Sequence, residues 1–533
     1  FADPDFYFEK LKEREYDLPV VHGDLQHHSS GCYSAESQVK RYNRKAENAL
    51  LRAEKFSVLS ELVSGHGYTE GLTEGWKRVL FNQFHDILAG SSIQKAYEDT
   101  RNELGEALSI AARNENNSLQ AVSFHIGIDQ EENMLPAVVF NPHGWDVEEY
   151  VEVETGMFGN SCRGESYIVK DSSGNVVPSQ KISSDAKVNG RNRIVFKAGV
   201  PSLGYAVFRI YAVNQEQEAE HTSQALVLEN ALVRVQFEEK TGAVISIWDK
   251  ENKIEYCDGA FGRVVVVKDN SDTWSHGVTR FHETEGYFEP KSVKKTEDGP
   301  VRSSIRVISK YKSSTLVQIY TLYKEDKSVR VSAKINWQEK FRCVKIQFPV
   351  ALDQYRGIYE IPFGCIEKAC NGEEEPVQRW MDLSGMQEAN NKIICGIGIL
   401  NDCKYSACME GNCMELTVLR SPVYAHHNPY ILDEEEDDYQ FTDQGIQNFS
   451  YTIVPHLGSG REAHLVQRAE ELNQPCVTVI ETYHKGEYPQ KAELLTVSRN
   501  NVVLSALKKA EKQDGYILRF YETEGKECQA DTY

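Results

Sequence analysis

The chain has 533 residues, with 80 Asp or Glu against 59 Lys or Arg and a formal net charge of -21 at pH 7. That surplus repels phosphate backbones and anionic lipid surfaces, so nucleic acid and membranes are not expected partners, and a neutral or cationic small ligand fits better. Hydrophobic and charged fractions of 40% and 26% exclude wholesale disorder, and the length calls for roughly three to five domains at about 100–200 residues each.

No window approaches the ~18 uninterrupted apolar residues of a membrane span. The start, Phe1-Ala2-Asp3-Pro4-Asp5-Phe6, lacks the basic and apolar regions of a secretion signal. With 12 cysteines and no Cys-x-x-Cys, free thiols in a reducing cytoplasm are the expected state. Phe1 in place of Met leads to the expectation of a processed chain or a piece of a longer one.

From Ser37 to Val63 the apolar residues Val39, Tyr42, Ala46, Ala49, Leu50, Ala53, Phe56, Leu59 and Leu62 recur at three- and four-residue steps, which predicts a long amphipathic helix. Trp76 to Leu88 repeats the pattern and stops at Ala89-Gly90. Ser91 or Ser92 can cap a third helix, running through Tyr97, Leu104 and Ala111 to the polar run Asn114 to Asn117. Residues 31–132 therefore read as a helical bundle. Near residue 135 the period falls to two: Ala137-Val138-Val139-Phe140, the turn Asn141-Pro142-His143-Gly144, then Val147, Tyr150, Val151 and Val153, the marks of strands. Residues 135–212 read as a small β-sandwich. Val213 to Ser223 reads as a linker, and 225–533 as a large, antiparallel β-sandwich region. Leu232 to Phe237, the turn Glu239-Lys240-Thr241-Gly242, and Val244 to Trp248 predict a hairpin. The acidic run Asp433 to Asp438 reads as a solvated loop.

The most distinctive local feature is Asn82-Gln83-Phe84-His85-Asp86-Ile87-Leu88-Ala89-Gly90-Ser91-Ser92, a His-Asp pair expected in the last turn of an apolar helix. A neutral imidazole there can ligate a metal, and the carboxylate can orient it or accept hydrogen bonds from a hydroxylated ligand. Alternatively His85 caps the helix C-terminus and Asp86 faces water. A second cluster, Asp24-Leu25-Gln26-His27-His28-Ser29-Ser30-Gly31-Cys32-Tyr33-Ser34, precedes the first long helix, and at most one of its adjacent histidines points inward. His22-Gly23-Asp24 is a further, weaker His-x-Asp pair. Ser271-Asp272-Thr273-Trp274-Ser275-His276-Gly277 sets a Trp among turn formers, either as a platform for a sugar face or as a plug at a sandwich edge. Asn371 to Pro376 and Leu419-Arg420-Ser421-Pro422 are weaker loop signals. Among 80 carboxylates no glycosidase pair can be chosen by spacing. Walker, dinucleotide, nucleophile-elbow and His-Glu-x-x-His motifs are all missing from the sequence.

In these segments the sequence resembles glycoside hydrolase family 38, the zinc-dependent retaining α-mannosidases, most closely their bacterial and cytosolic branch. The resemblance is carried by Gly23 to His28 with Gly31 to Ser34, Asn82 to Ser92, Leu228-Glu229-Asn230 with Lys240-Thr241-Gly242, Ser271 to His276, Ile361-Pro362-Phe363-Gly364, Asn371 to Trp380, Leu419 to Tyr424 and Tyr451 to Gly458. It implies a multidomain α+β fold, mostly β: the C-terminal end of a catalytic α/β barrel in residues 1–30, the helical bundle, then antiparallel β-sandwich domains truncated at the C-terminus. It also implies that His85 is one of four zinc ligands and that Asp86 binds mannose hydroxyls. His28, Trp274 and Arg420 would contact substrate from neighbouring walls.

The family's His-x-Asp zinc pair, nucleophile and acid/base carboxylate belong to a barrel most of which would precede residue 1. No catalytic carboxylate is therefore expected in this chain, and the chain alone is expected to be inactive. The leading expectation is an α-mannosidase acting on mannose-containing oligosaccharides, with a homo-oligomer possible. The competing ones are a noncatalytic carbohydrate-binding or scaffold protein, and a different zinc enzyme using His22, Asp24, His27 or His28 with His85.

Overall fold

The computed structural model describes residues 2–14, 16–21, 28–155, 164, 166–184, 186, 191–214, 225–388, 393–433 and 438–533. The expected linker and the acidic run lie largely outside these residues. Helix α1 (Pro4–Lys12) starts where the Asp3 carboxylate accepts the Asp5 N–H at 2.9 Å, and it buries none of its residues. Of the expected barrel end, the described residues before Ser30 build this helix and extended or bent chain, with no strand.

Helix α2 (Ser37–Ser64) ends at Gly65, whose φ of 77° supplies the left-handed cap that glycine adopts at no steric cost. It packs along α3 (Leu72–Asn82) and α5 (Gln94–Phe124) over a core that includes Val39, Ala46, Leu50, Val79, Leu104 and Ala111. The predicted second helix does not reach Leu88. Phe84 turns extended (φ -50°, ψ 139°), and a separate turn, α4, spans His85–Leu88. The third helix is not capped by Ser91 or Ser92: its flanking residue is Ile93 without a side-chain cap, and the Ser92 N–H donates to the Tyr97 hydroxyl instead. Nor does it stop at the asparagine run. The buried Asn114 amide donates to the Ile110 and Glu70 carbonyls, both at 2.9 Å, so its polar group is satisfied inside the bundle and the helix continues to Phe124.

The small sandwich has two layers. Met134–Phe140 pairs with Tyr205–Val213, while Val147–Glu154 pairs with Arg193–Val200. The turn between them therefore switches sheets, and the buried Asn141 amide fixes it by donating to the carbonyls of Trp145, Val200 and Pro201. Val139, Val151, Phe196 and Phe208 fill the space between the layers. Val477–Ile480 adds a strand beside Met134–Phe140, and Lys491–Ala492 pairs with Tyr205 and Ala206. Residues 135–212 thus do not close this unit by themselves.

The large β region includes the predicted hairpin, Val233–Phe237 with Val244–Asp249. Among the described residues, a nine-stranded and a six-stranded antiparallel sheet share one large core containing Phe261, Tyr320, Trp337, Phe348, Met414 and Tyr451. Helix α6 (Leu465–Asn473) covers part of the larger sheet through Leu465 and Ala469. A C-terminal hairpin, Val502–Lys509 with Tyr516–Glu522, packs Leu504 and Leu507 against Val58 of α2. Among the described residues no helix is long and apolar enough to cross a membrane.

Candidate functional site

The bundle is joined to the β region through buried polar contacts at the start of α2. Ser37 donates its N–H and hydroxyl to Asp443, and the Arg44 guanidinium donates to the side chain and carbonyl of Asn401 and to the Gln378 carbonyl. Just upstream, Ala35 forms an isolated bridge with Arg420, at the end of the strand Cys413–Arg420.

Arg420, expected to contact substrate, is fully buried. Its Nε donates to Asp269 at 2.7 Å, and its terminal nitrogens donate to the Ser271 hydroxyl and to the carbonyls of Asp272 and Thr273. The fork geometry of the guanidinium thus shapes the 269–273 loop from beneath. The loop in turn touches the bundle where the Gly31 N–H donates to the Trp274 carbonyl at 3.2 Å. Any side chain at Gly31 would set a Cβ 2.2 Å from the Arg420 guanidinium, so glycine is what permits this approach.

Helix α4 carries the His-Asp pair. A one-turn helix leaves its carbonyls without partners of its own, and here side chains supply them. Lys40 Nζ donates to the Leu88 carbonyl at 2.9 Å and to that of Ala35 at 2.6 Å, while the Tyr97 hydroxyl donates to the Asp86 carbonyl. Burial pushes the Lys40 ammonium down to about 8. The Ser91 hydroxyl donates to an Asp86 carboxylate oxygen at 3.2 Å. The turn is rigidly held, yet what it presents is open: the His85 and Asp86 side chains are 71% and 45% exposed, with His85 Nε2 3.5 Å from Asp86 Oδ2. Leu80, Phe81, Phe84 and Ile93 form an exposed apolar surround in sequence.

A cavity of about 800 Å³ opens beside His85, lined also by Tyr33, Cys32, Leu88, Ala89, Gln83 and Trp76. Burial pushes the Cys32 thiol up to about 11, so it faces the cavity as a neutral thiol. His28 is exposed, and its N–H reaches the Tyr33 hydroxyl at 3.4 Å. Trp274 is half-buried, with its ring centroid 6.4 Å from that of His276 and 6.3 Å from that of His427. The structure therefore brings His85 and Asp86 together on α4, ties Trp274 to the 30–33 turn through Gly31, and places His28 beside the same turn through Tyr33. In the 371–376 loop, Glu374 is buried against Lys345 and Glu375 pairs with Lys368, so these carboxylates bind neighbouring lysines.

Sequence reasoning did not single out Lys40, Tyr97, Asp272, His276 or His427 individually. Lys40 carried a faint signal, since Lys40, Asn43 and Glu47 repeat at helical spacing as a polar stripe on an otherwise core-facing helix.

Zinc, implied by the resemblance, takes four ligands in a closed site and three protein ligands in a catalytic one. Among the described residues no group of three or more His, Cys, Asp or Glu can hold a metal. His85 fits as a single exposed imidazole donor, while His22, Asp24 and His27 lie outside the described residues.

Three family models match the chain: the alpha mannosidase middle domain over residues 27–122, the glycosyl hydrolases family 38 C-terminal domain over 228–440, and the family 38 C-terminal beta sandwich domain over 501–532. Alpha-mannosidase 2C1 of Mus musculus is 25% identical over 527 residues, covering 93% of this chain and 44% of that protein. Alpha-mannosidase G of Dictyostelium discoideum is 22% identical over 578 residues, covering 98% of this chain and 50% of that protein. The chain thus spans about half the length of these curated relatives. The crystal structure of an alpha-mannosidase from Enterococcus faecalis V583 superposes with a TM-score of 0.81 at 16% identity, covering all of this chain and 68% of that one, which establishes a shared fold.

Proposed function

Because the chain carries the middle and C-terminal domains of the family 38 glycosyl hydrolases, we propose that its protein is a zinc-dependent, retaining α-mannosidase that releases terminal α-mannose from oligosaccharides. The observation that carries this reading is the His85-Asp86 turn, anchored from below through its carbonyls and open above to a cavity. Anchoring of that kind preorganises side chains for binding without a cost at the moment of binding.

In this reading the Asp86 carboxylate accepts hydrogen bonds from mannose hydroxyls, His28 reaches the same sugar from the 28–33 turn, and Trp274 offers an aromatic surface to a sugar face. Arg420 holds the Trp274 loop in place and stays clear of the sugar. His85 would give its imidazole to zinc, which when bound supplies positive charge toward sugar hydroxyls. Retention of configuration calls for two carboxyl groups about 5–5.5 Å apart, one as nucleophile and one as acid and then base.

The test is hydrolysis of p-nitrophenyl α-mannoside by the complete gene product. Asp86→Asn is expected to lower kcat/KM by about 100-fold or more, the scale for losing a group that binds better in the transition state. His85→Ala is expected to lower zinc content by elemental analysis as well as turnover. Sugar binding without hydrolysis in the unsubstituted protein would replace this reading by a carbohydrate-binding one, and full activity in Asp86→Asn would remove the role given to Asp86.

A further inference from the structure

We propose that His276 and His427, with Trp274, form a second sugar subsite that takes the residue next to the terminal mannose and discriminates between linkages. The inference rests on the mannosidase reading and adds to it the residues that read the second sugar.

The argument starts from Asp272, whose carboxylate is almost fully buried. One of its oxygens lies 2.6 Å from His276 Nδ1 and also accepts the Asn428 N–H at 2.8 Å, while the other accepts the His276 N–H at 3.0 Å. Burial alone would raise this carboxyl group, but those hydrogen bonds outweigh it and hold it below the usual carboxylate range. An anionic carboxylate at Nδ1 selects the tautomer with its proton there, leaving Nε2 as the acceptor. One carboxylate therefore orients the His276 ring and also anchors the chain immediately after His427.

The two imidazole centroids are 4.9 Å apart with an interplanar angle of 72°, and each lies just over 6 Å from Trp274. Two ring nitrogens beside an indole combine hydroxyl recognition with an apolar face, a chemistry that suits a pyranose. The Trp274 carbonyl ties this group to Gly31, in the same turn as Cys32 and Tyr33 of the His85 cavity. Asp272 and His276 also line a hollow of about 440 Å³, together with Arg280, His426 and Tyr430. The volume lies within the range of small-ligand sites. Metal binding by the pair is less favoured, because among the described residues no group of three or more His, Cys, Asp or Glu is arranged to hold a metal ion.

The experiment is calorimetric titration of the full 533-residue chain with methyl α-D-mannoside and with methyl glycosides of the α-1,2, α-1,3 and α-1,6 mannobioses. His427→Ala, at an exposed position, and His276→Ala are each expected to weaken at least one mannobioside about 5- to 10-fold, the scale of a lost hydrogen bond. Methyl mannoside binding is expected to change less than about 2-fold and the order of the linkages to shift. Asp272→Asn is expected to reproduce part of the loss. Equal effects on the mono- and disaccharides, or none, overturn the subsite while leaving the mannosidase reading in place. Binding of neither sugar by the unsubstituted chain overturns the subsite, whereas the mannosidase reading stands or falls on hydrolysis by the complete gene product. Zinc binding that is lost in His276→Ala and His427→Ala, with disaccharide binding unchanged, overturns the subsite in favour of a metal.

Discussion

Glu36 sits at the mouth of α2 with a φ of 47°, fully enclosed, and accepts a hydrogen bond from the Tyr424 hydroxyl at 3.1 Å. Burial, then repulsion from Asp443, pushes its carboxyl up to about 7, against the opposing pull of Tyr424 and Lys40. A carboxyl raised above its unfolded value of 4.5 binds its proton more tightly in the folded chain. Its contribution to stability is therefore complete below about pH 4.5 and is lost as pH rises through about 7. Glu36 thus contributes a falling stability between pH 5 and pH 7, opposed below about pH 6.5 by the buried His143, which is lowered to about 3, and Glu36→Gln is expected to remove that falling component and to exceed the unsubstituted chain at pH 8. A slope unchanged in the variant would assign the effect elsewhere. Lys40 and Lys55 do not confuse the window. Burial lowers both to about 8 from 10.5, so their penalty is relieved only above pH 8.

Arg420 shows why single residues were harder to read than motifs. A lone arginine at a strand end has no local mark of the aspartate 151 positions away that it pairs with, whereas the His85-Asp86 pair is visible because both members are adjacent and interrupt an apolar helix. Arg420→Leu leaves Asp269 buried without its cation, and a loss of about 3–5 kcal/mol is expected from denaturant titration. Arg420→Lys, which keeps the charge without the fork, should recover only part of it.

At the scale of elements, periodicity exposed the three bundle helices and the 233–249 hairpin, because those patterns are written within each segment, but not α1 or α6, which lie in stretches read as barrel end and as β-sandwich. It did not expose the break between α3 and α4. That break is stabilised by partners far along the chain: Lys40 and Tyr97 satisfy the α4 carbonyls, and Gly90 lets the following residues pass against Ala35. At Gly90 φ is 86°, and an added Cβ would lie 2.3 Å from the Ala35 carbonyl oxygen. Gly90→Ala thus combines left-handed strain, about 1–3 kcal/mol, with a backbone clash. It is expected to lower the thermal midpoint and to shift the His85 imidazole resonances in an NMR spectrum, because the turn can relieve the clash only by moving. A lower midpoint with His85 unshifted would show that α4 is held independently of Gly90.

At the scale of the whole molecule, the change from 3.6 to 2 in hydrophobic period near residue 135 announced a β region, but not which strands share a sheet. Local alternation specifies a buried face and says nothing of the neighbour at the strand's edge. The consequence is sharpest in the small sandwich, where Met134–Phe140 is an interior strand only because Val477–Ile480 pairs with it in the register Ala137 to Ile480 through Phe140 to Val477. On its other face that strand buries Val138 and Phe140 in a cluster shared with Phe56 and Leu59 of α2. A fragment of residues 133–214 would expose both the backbone edge and this apolar face, the combination that promotes edge-to-edge association. It is expected to aggregate or to lack a cooperative thermal transition by circular dichroism. Adding residues 474–495 as a fused or separately supplied segment should restore the edge and improve solubility, but full cooperativity should require α2 as well. A soluble fragment of 133–214 with a sharp unfolding transition would show that the sandwich is an autonomous domain and that the returning strands merely decorate it.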